Sequence, residues 1–425
     1  MYNLKNNFKF FIKNIRCNKT FCISLFIKVG SCIENQDEKG ISHFLEHMLF
    51  KGTNKYKNLS HILDINGFTY NAMTMKECTL FYIKSANPNK INLIIDILYE
   101  IAFNVKFNET SFNKEKTVIF DEIQEDQSDL NTILYNLSEN ELFDQKYYDY
   151  NIYNYNRNIS GSIKDVSKLN LNKIKEFYKK YYIINNMFLV FYGNFPNENI
   201  IHDSLSNTFF TKKTNIKLPN FLLNNSVNSI DTNRNTIICK GITENTKMGT
   251  VMLNFPIPGY NENSINFDLY SFILTKGVSS ELFELLRIKN GIVYSIESNC
   301  IYYKSIGMFN ISFNTNNDNI GKSIKLILNF LKKDINVKQL DKSKIMYLEE
   351  INQNDDIIYK SEKIGFNILY DCNIKSTNTI DKELNNININ HINSLKKKYL
   401  INKKLVVTHI SNKSDKYIKN IILKL

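Results

Sequence analysis

The sequence predicts an α+β protein built from two homologous domains, each with a largely antiparallel sheet flanked by helices. Segments of period-two hydrophobic alternation, such as 8–15 and 405–410, are separated by helical runs such as 91–105, without a strict strand–helix–strand rhythm. The chain has 425 residues, which is too many for one hydrophobic core and suits two domains of about 200 residues each. Internal similarity between the halves is the third observation.

Two pairs of similar segments indicate that one domain has been duplicated. Residues 174–190 and 391–407 share an order of lysines, tyrosine, asparagine and apolar residues. Residues 66–70 (N-G-F-T-Y) are likewise similar to residues 290–294 (N-G-I-V-Y). By this alignment, residues 266–273 stand near the place where the first copy has its histidine pair. They contain no histidine, so we expect no metal ligands in the second copy.

The expected organisation is a first domain over residues 1–215, a linker over 216–235 and a second domain over 236–425. The segment 197–235 is low in hydrophobicity and rich in asparagine, lysine and serine, and Pro196 and Pro219 flank its first half. Such a composition is typical of a connection between two cores.

Composition excludes several classes of protein. The formal net charge is +12, but the lysines are scattered and no nucleic-acid-binding motif is present, so we expect no nucleic-acid partner. No apolar run approaches 18 residues, so we expect no membrane span. The seven cysteines are odd in number and contain no C-x-x-C pair, which favours buried thiols in a reducing compartment.

The most informative motif is the pentapeptide H-F-L-E-H, which runs from His43 to His47. Residues four apart on a helix are separated by about 40° and roughly 6 Å, so both imidazoles can bind one tetrahedral Zn²⁺. Glu46 shares this face without needing to be a ligand. The alternative is a pair of surface histidines, but the chain has only six histidines and the motif is surrounded by apolar residues. The spacing therefore favours a metal site.

A third ligand is needed, because catalytic zinc usually takes three protein ligands and leaves one position for water. Residues 111–126 have helical periodicity and contain Glu115 and Glu122, which lie two turns apart on one face. The spacing alone leaves open the alternative that both carboxylates belong to a solvated helix face.

These segments resemble the pitrilysin/insulinase superfamily of zinc metallopeptidases, most closely its short-chain branch, which includes mitochondrial processing peptidase and bacterial relatives. The first-half matches are Gly30-Ser31 and Glu34, residues 43–53, residues 71–74 with Glu77 and Thr79, and residues 115–123. The resemblance implies that Glu122 is the third ligand of one zinc ion per chain. It also implies that Glu115 orients a histidine ligand.

A second signature lies in residues 277–295, where Arg287 and Tyr294 are seven residues apart. Alone, such a pair is more often a surface cation and a core aromatic residue. The resemblance implies instead that the two side chains reach a zinc site across a closed chamber.

The resemblance implies a metalloendopeptidase that hydrolyses unfolded peptides in an enclosed chamber. Glu46 would be the general base, and Arg287 and Tyr294 would stabilise the oxyanion. Asn71 and Ala72 would lie on an edge strand that binds an extended peptide. Two alternatives stay open: a processing peptidase that removes targeting sequences, and a non-catalytic scaffold subunit, although an intact ligand set argues against a scaffold.

The family's chamber is formed by four such domains, and this chain supplies two. We therefore expect a homodimer, with a heterodimer containing a related chain as the alternative. The first family strand begins near residue 4, so we expect no transit peptide ahead of it and a cytoplasmic location, with the mitochondrial matrix as the alternative.

Overall fold

The computed structural model describes residues 2–4, 6, 8–144, 154–212 and 236–425. The predicted linker 216–235 lies outside the described residues. The strands within the described ranges are β1 (Tyr2–Asn3), β2 (Lys9–Asn14), β3 (Phe21–Ile27), β4 (Thr69–Thr74), β5 (Thr79–Ser85), β6 (Met187–Gly193), β7 (Ile237–Thr243), β8 (Met248–Pro258), β9 (Val293–Tyr302), β10 (Ile306–Asn316) and β11 (Leu405–Ser411).

Helices account for most of the remaining described residues. They are α1 (Ile41–Leu49), α2 (Leu59–Ile65), α3 (Ile91–Phe103), α4 (Glu109–Asp126), α5 (Leu130–Leu142), α6 (Ile163–Ser167), α7 (Leu171–Tyr181), α8 (Glu198–Asn207), α9 (Ser264–Thr275), α10 (Glu281–Phe283), α11 (Ile320–Leu331), α12 (Val337–Gln353), α13 (Ile357–Leu369), α14 (Thr377–Asn386), α15 (Ile389–Tyr399) and α16 (Asp415–Ile422). A π-helical turn, Glu284–Lys289, continues α10. None of the described helices is both long enough and apolar enough to cross a membrane.

The chain forms two compact units that are discontinuous in sequence. The first unit comprises Met1–Asp126, Ile152–Asn225 and Asp355–Asp371, and the second comprises Gln127–Asn151, Ser226–Asn354 and Cys372–Leu425. Helix α13, from late in the chain, therefore belongs to the first unit. Helix α5, from its first half, belongs to the second.

The first unit contains a sheet with the strand order β1-β2-β6-β3-β5-β4. Strands β2 and β6 are parallel, and the other pairs are antiparallel. The central strand β3 is buried along its whole length, and apart from Ser24 its residues are all apolar, as expected for a strand covered on both faces. Helix α13 packs on β3 and β6, where the hydroxyl oxygens of Ser24 and Ser361 lie 2.8 Å apart.

The second unit contains a sheet with the order β7-β11-β8-β10-β9. Strands β7 and β11 are parallel, and the other pairs are antiparallel. Helix α5 packs on β11 and β8, where Ser138 Oγ lies 2.8 Å from Thr408 Oγ1. The two sheets thus share one topology, apart from the two-residue strand β1. The predicted α+β architecture with two homologous halves is confirmed.

Candidate metal centre

Helix α1 follows β3 in the chain and carries the histidine motif. It buries an apolar stripe that includes Ile41, Phe44 and Met48. This stripe fixes the rotation of the helix, so the opposite positions, His43 and His47, keep 15% and 16% of their side chains exposed. The two imidazole rings lie 4.7 Å apart on that face.

Helix α4 packs beside α1 and supplies the carboxylates. The rings of Phe44 and Phe112 stack at 4.7 Å with an interplanar angle of 13°, which anchors one helix on the other. The buried positions of α4 include Glu115 as well as Phe112 and Ile119, so Glu115 points toward α1 despite its charge. Glu122, two turns further on, remains 41% exposed at the edge of the same contact.

Three side chains converge with the spacing that a metal ion requires. Glu122 Oε2 lies 3.7 Å from His43 Nε2 and 3.4 Å from His47 Nε2. Within the described residues, this is the group of histidine and acidic side chains whose ligand atoms all lie within 4.8 Å of one another. A tetrahedral ion with bonds of about 2.1 Å keeps its ligand atoms roughly 3.4 Å apart, so the set fits zinc.

Glu115 fixes the orientation of His47. Its Oε2 lies 3.4 Å from His47 Nδ1, so the imidazole can donate there and leave Nε2 as the atom facing Glu122. The other carboxylate oxygen, Oε1, lies 2.6 Å from Lys51 Nζ. Lys51 therefore offsets the charge of a carboxylate that would otherwise be buried beside the histidines without a cation.

Glu46 lies on α1 between the two histidines and is 9% exposed. Burial raises the pKa of Glu46 to about 7, and the charge of Glu122 acts in the same direction, whereas His47 and a bond from Thr74 lower the pKa. That bond, from Thr74 Oγ1 to Glu46 Oε2, is 3.5 Å long. A carboxyl group with a pKa near neutrality can both take up and release a proton at physiological pH.

His43 is held in its neutral form. Burial lowers the pKa of His43 to about 4, and the neighbouring His47 adds to this effect. The buried Nδ1 atom of His43 has no hydrogen-bond partner among the described residues. A neutral imidazole is the form that binds a metal ion, so the environment favours the ligand state.

Strand β4 forms the edge of the first sheet beside α1. It pairs with β5 on one side, and none of the described strands pairs with it on the other side. Asn71 is exposed and Ala72 is buried, as expected for neighbouring residues on a strand. The predicted peptide-binding residues thus lie on an edge strand whose residue Thr74 contacts Glu46.

The other predicted pair, Arg287 and Tyr294, lies in the second unit. The Arg287 guanidinium carbon is 5.4 Å from the ring centre of Phe283 and 5.3 Å from that of Tyr294. Tyr294, at the start of the edge strand β9, is 70% exposed. Arg287 and Tyr294 therefore lie together on the surface of their own unit, with a guanidinium and a phenol as donors.

Comparison with protein families agrees with this arrangement. The insulinase (peptidase family M16) model matches residues 9–154, and the peptidase M16 inactive domain model matches residues 168–342. The chain belongs to the insulinase (M16) peptidase family. The first match contains all of the converging residues around the two histidines, whereas the second contains Arg287 and Tyr294.

Two zinc protease relatives are similar along most of this chain, and a processing peptidase subunit is similar along less than half of it. An "uncharacterized zinc protease" of Rickettsia felis is 28% identical over 376 residues, covering 86% of each chain. The "uncharacterized zinc protease YmxG" of Bacillus subtilis is 26% identical over 412 residues, covering 93% of this chain and 94% of the relative. A probable mitochondrial-processing peptidase subunit beta of Arabidopsis thaliana is 28% identical over 185 residues, covering 43% and 33%.

Solved structures support the M16 fold. A protease from Helicobacter pylori aligns with a TM-score of 0.80 at 19% identity, covering 96% of this chain and 98% of the other. A structure from Pseudomonas fluorescens, described as a peptidase M16 inactive domain, aligns with a TM-score of 0.83 at 15% identity, covering 97% and 98%.

Two further residues of this M16 chain lie at the site without a role having been predicted from the sequence. Lys51 binds Glu115, and Thr74 binds Glu46. Lys51 lies four residues after His47, which puts it one turn further along the helical direction, so its position could have indicated contact with the same face. Thr74 belongs to the family match at residues 71–74, but its contact with Glu46 was not predicted because that contact depends on how β4 packs on α1.

Proposed function

We propose that this protein is a zinc-dependent metalloendopeptidase that binds one zinc ion per chain. The observation that carries the proposal is the convergence of His43, His47 and Glu122 at tetrahedral spacing, next to the buried carboxyl group of Glu46. The names of the zinc protease relatives support the same metal.

Zinc, when bound, would acidify a water molecule and polarise the scissile carbonyl group. Glu46 would take a proton from the attacking water and deliver it to the leaving amine, which its pKa of about 7 permits. The weak bond from Thr74 would hold the carboxyl group in one rotamer during both transfers. Glu115, through His47 Nδ1, would keep the ligand imidazole in one tautomer.

The substrate we propose is an unfolded peptide bound in extended form along β4. Because this strand has an unpaired edge among the described residues, a peptide can add to it through main-chain hydrogen bonds, with Asn71 and Ala72 beside it. Arg287 and Tyr294 are proposed to donate to the oxyanion, which their shared guanidinium and phenol surface supports.

A processing peptidase is the second candidate function, favoured by the partial match to a processing peptidase subunit beta. A non-catalytic scaffold is disfavoured, since a scaffold has no chemical need for the ligand set together with Glu46 and Glu115. Enclosure of the substrate in a chamber and assembly as a homodimer remain proposals that rest on the family. A cytoplasmic location is proposed because Cys22, Cys32 and Cys78 are buried thiols outside any disulfide.

The test is metal analysis combined with cleavage of a peptide library by the wild type and by Glu46→Gln. Wild-type protein should contain about one zinc per chain, and Glu46→Gln should keep the zinc and lose about 10²–10⁴-fold in kcat/KM. Glu109→Gln, an exposed change on α4, is the control and should retain full activity. Equal cleavage by the wild type and Glu46→Gln would remove Glu46 from the mechanism. A folded wild type without zinc affinity would reject the whole function.

A further inference from the structure

A buried acidic side chain closes the N-terminal end of the helix that carries the histidines. Glu34 lies six residues before Gly40 and is 1% exposed. Its Oε2 accepts the Gly40 N–H at 2.8 Å, and its Oε1 accepts the Ser42 N–H at 2.9 Å. The first N–H groups of a helix have no partner within the helix, so one carboxyl group here supplies acceptors for two of the donors at this end.

The residue at the usual capping position of α1 cannot accept these N–H groups through a side chain. Helices are commonly capped by Ser, Thr, Asp or Asn at the residue before the first turn, but Gly40 occupies that place and has no side chain. Its φ of +82° favours glycine, and a Cβ there would lie 2.7 Å from the carbonyl oxygen of Ser160. The cap must therefore come from elsewhere in the chain, and Glu34 provides it.

The loop that bears Glu34 is itself held on the opposite side. Arg157 Nη1 donates to the carbonyl oxygen of Asn35 at 2.8 Å and also to that of Glu34. The backbone N–H of Asn154 donates to the carbonyl oxygen of Cys32 at 2.7 Å. The carboxyl group is thus fixed in space by contacts that do not involve α1, so it can position the helix rather than follow it.

We propose that Glu34 is a positioning residue for the metal centre, which holds the first turn of α1 so that His43 faces Glu122. The inference rests on the proposed zinc site and adds a residue that acts on the metal only through the helix. His43 directly follows Ser42, whose N–H Glu34 binds, so a displaced first turn moves His43 before it moves His47.

The inference depends on two acceptor atoms rather than on a charge. Burial raises the pKa of Glu34 to about 8, while the bonds from Ser42 and Gly40 and the charge of Arg157 act in the opposite direction. Glu34→Gln removes one acceptor and turns an amide NH₂ toward a backbone N–H. That substitution therefore tests the cap in either protonation state.

The experiment measures zinc affinity by chelator competition and the d–d absorption of the Co²⁺-substituted protein. Glu34→Gln should bind zinc about 10–100-fold more weakly, with an altered Co²⁺ spectrum, as is typical when a residue supporting a ligand is changed. Glu100→Gln is the matched control. Glu100 is also buried in the first unit, and its carboxyl group accepts bonds from Asn104 Nδ2 and the Lys55 N–H, two donors that lie outside α1. Its change should leave both readouts as in the wild type.

The outcomes separate this inference from the proposed function. A wild type that does not bind zinc overturns both. A wild type that binds zinc, with Glu34→Gln equal to it in affinity and Co²⁺ spectrum, overturns only the role of Glu34. If Glu34→Gln does not fold, Arg157→Leu replaces it, because it keeps the Glu34 carboxyl group but removes the donor that holds its loop. Unchanged affinity and spectrum in that variant would also overturn the inference.

Discussion

The two units of this chain share a topology but differ at one helix. In the first unit, α1 follows the central strand β3 and packs beside α4; in the second, α9 follows β8 and packs beside α12. Helix α1 has a mostly buried stripe with two histidines, whereas α9 carries the buried side chains Phe267, Tyr270 and Leu274 and no histidine. The topology that the two units share therefore does not require a metal ion. The site depends on a few side chains placed on one copy.

The units also correspond in how each sheet is covered. Helix α13 covers β3 and β6, and helix α5 covers the matching strands β8 and β11. Both contacts contain a buried hydroxyl pair at 2.8 Å, Ser24 with Ser361 and Ser138 with Thr408. Each unit thus receives one helix from the other half of the chain. The exchange is conserved between copies that differ at the metal centre, which indicates that it serves the fold rather than the chemistry.

The largest expected difference between the units comes from removing a metal ligand. His47→Ala should abolish zinc binding and peptide cleavage, because only His43 and Glu122 remain as ligands and catalytic zinc usually needs three. Leu274→Ala, in the buried face of α9, should cost about 2–5 kcal/mol of unfolding free energy and leave zinc affinity unchanged. Zinc titration and denaturant unfolding measure the two effects.

The control for the histidine change is His61→Ala, since His61 is exposed on α2 in the same unit. It should bind zinc and cleave peptides like the wild type. If Leu274→Ala lost zinc affinity while it remained folded, the separation between a chemical unit and a structural unit would be wrong.

Sequence alone predicted the fold and the histidine pair because both depend on local patterns. The i, i+4 spacing places His43 and His47 on one face wherever the helix packs, and the duplicated segments indicated two similar domains. Glu122 needed the family resemblance, since nothing local separates it from a solvated carboxylate. The cap from Glu34 to Gly40 and the bond from Lys51 to Glu115 depend on tertiary packing, so local patterns did not indicate them.

For a related reason, the sequence could not predict that α5 belongs to the second unit and α13 to the first. An amphipathic helix needs an apolar surface to cover, but two homologous sheets offer similar surfaces. Which sheet each helix covers depends on specific contacts such as that between Ser138 and Thr408, which are 270 residues apart. Periodicity contains no information at that separation.

A smaller effect tests whether the edge strands of both units start in the same way. Gly67 precedes β4 with φ of +65°, and Gly291 precedes β9 with φ of +59°. A Cβ at either position would meet no atom within 4 Å, so a substitution there adds only backbone strain. Gly67→Ala and Gly291→Ala should each lower the unfolding free energy by about 1–2 kcal/mol. Denaturant titration measures the cost.

Asparagine provides the control for these glycines, because it tolerates the left-handed region better than alanine does. Gly67→Asn and Gly291→Asn should therefore cost less than the alanine changes. A cost at only one of the two positions would show that the turns are not equivalent, and the similarity of residues 66–70 and 290–294 would then have no common structural basis.

The smallest expected effect is a pH dependence centred on strand β11 of the second unit. His409, on β11, is fully buried, with Nδ1 2.9 Å from Ser411 Oγ and Nε2 2.9 Å from Asp415 Oδ1. Burial lowers the pKa of His409, although Asp415 opposes the shift. Because the folded pKa lies below the ordinary value of 6.5, neutral His409 contributes stability above that pH, and this contribution is lost as the pH falls. The matching strand β6 has no histidine.

Hydrogen exchange measured at pH 7.5 and 5.5, and corrected for intrinsic rates, should show lower protection of β11 and α16 at pH 5.5. The variant His409→Asn should reduce that difference. An equal loss in β6 would show that acid acts on both units through other groups.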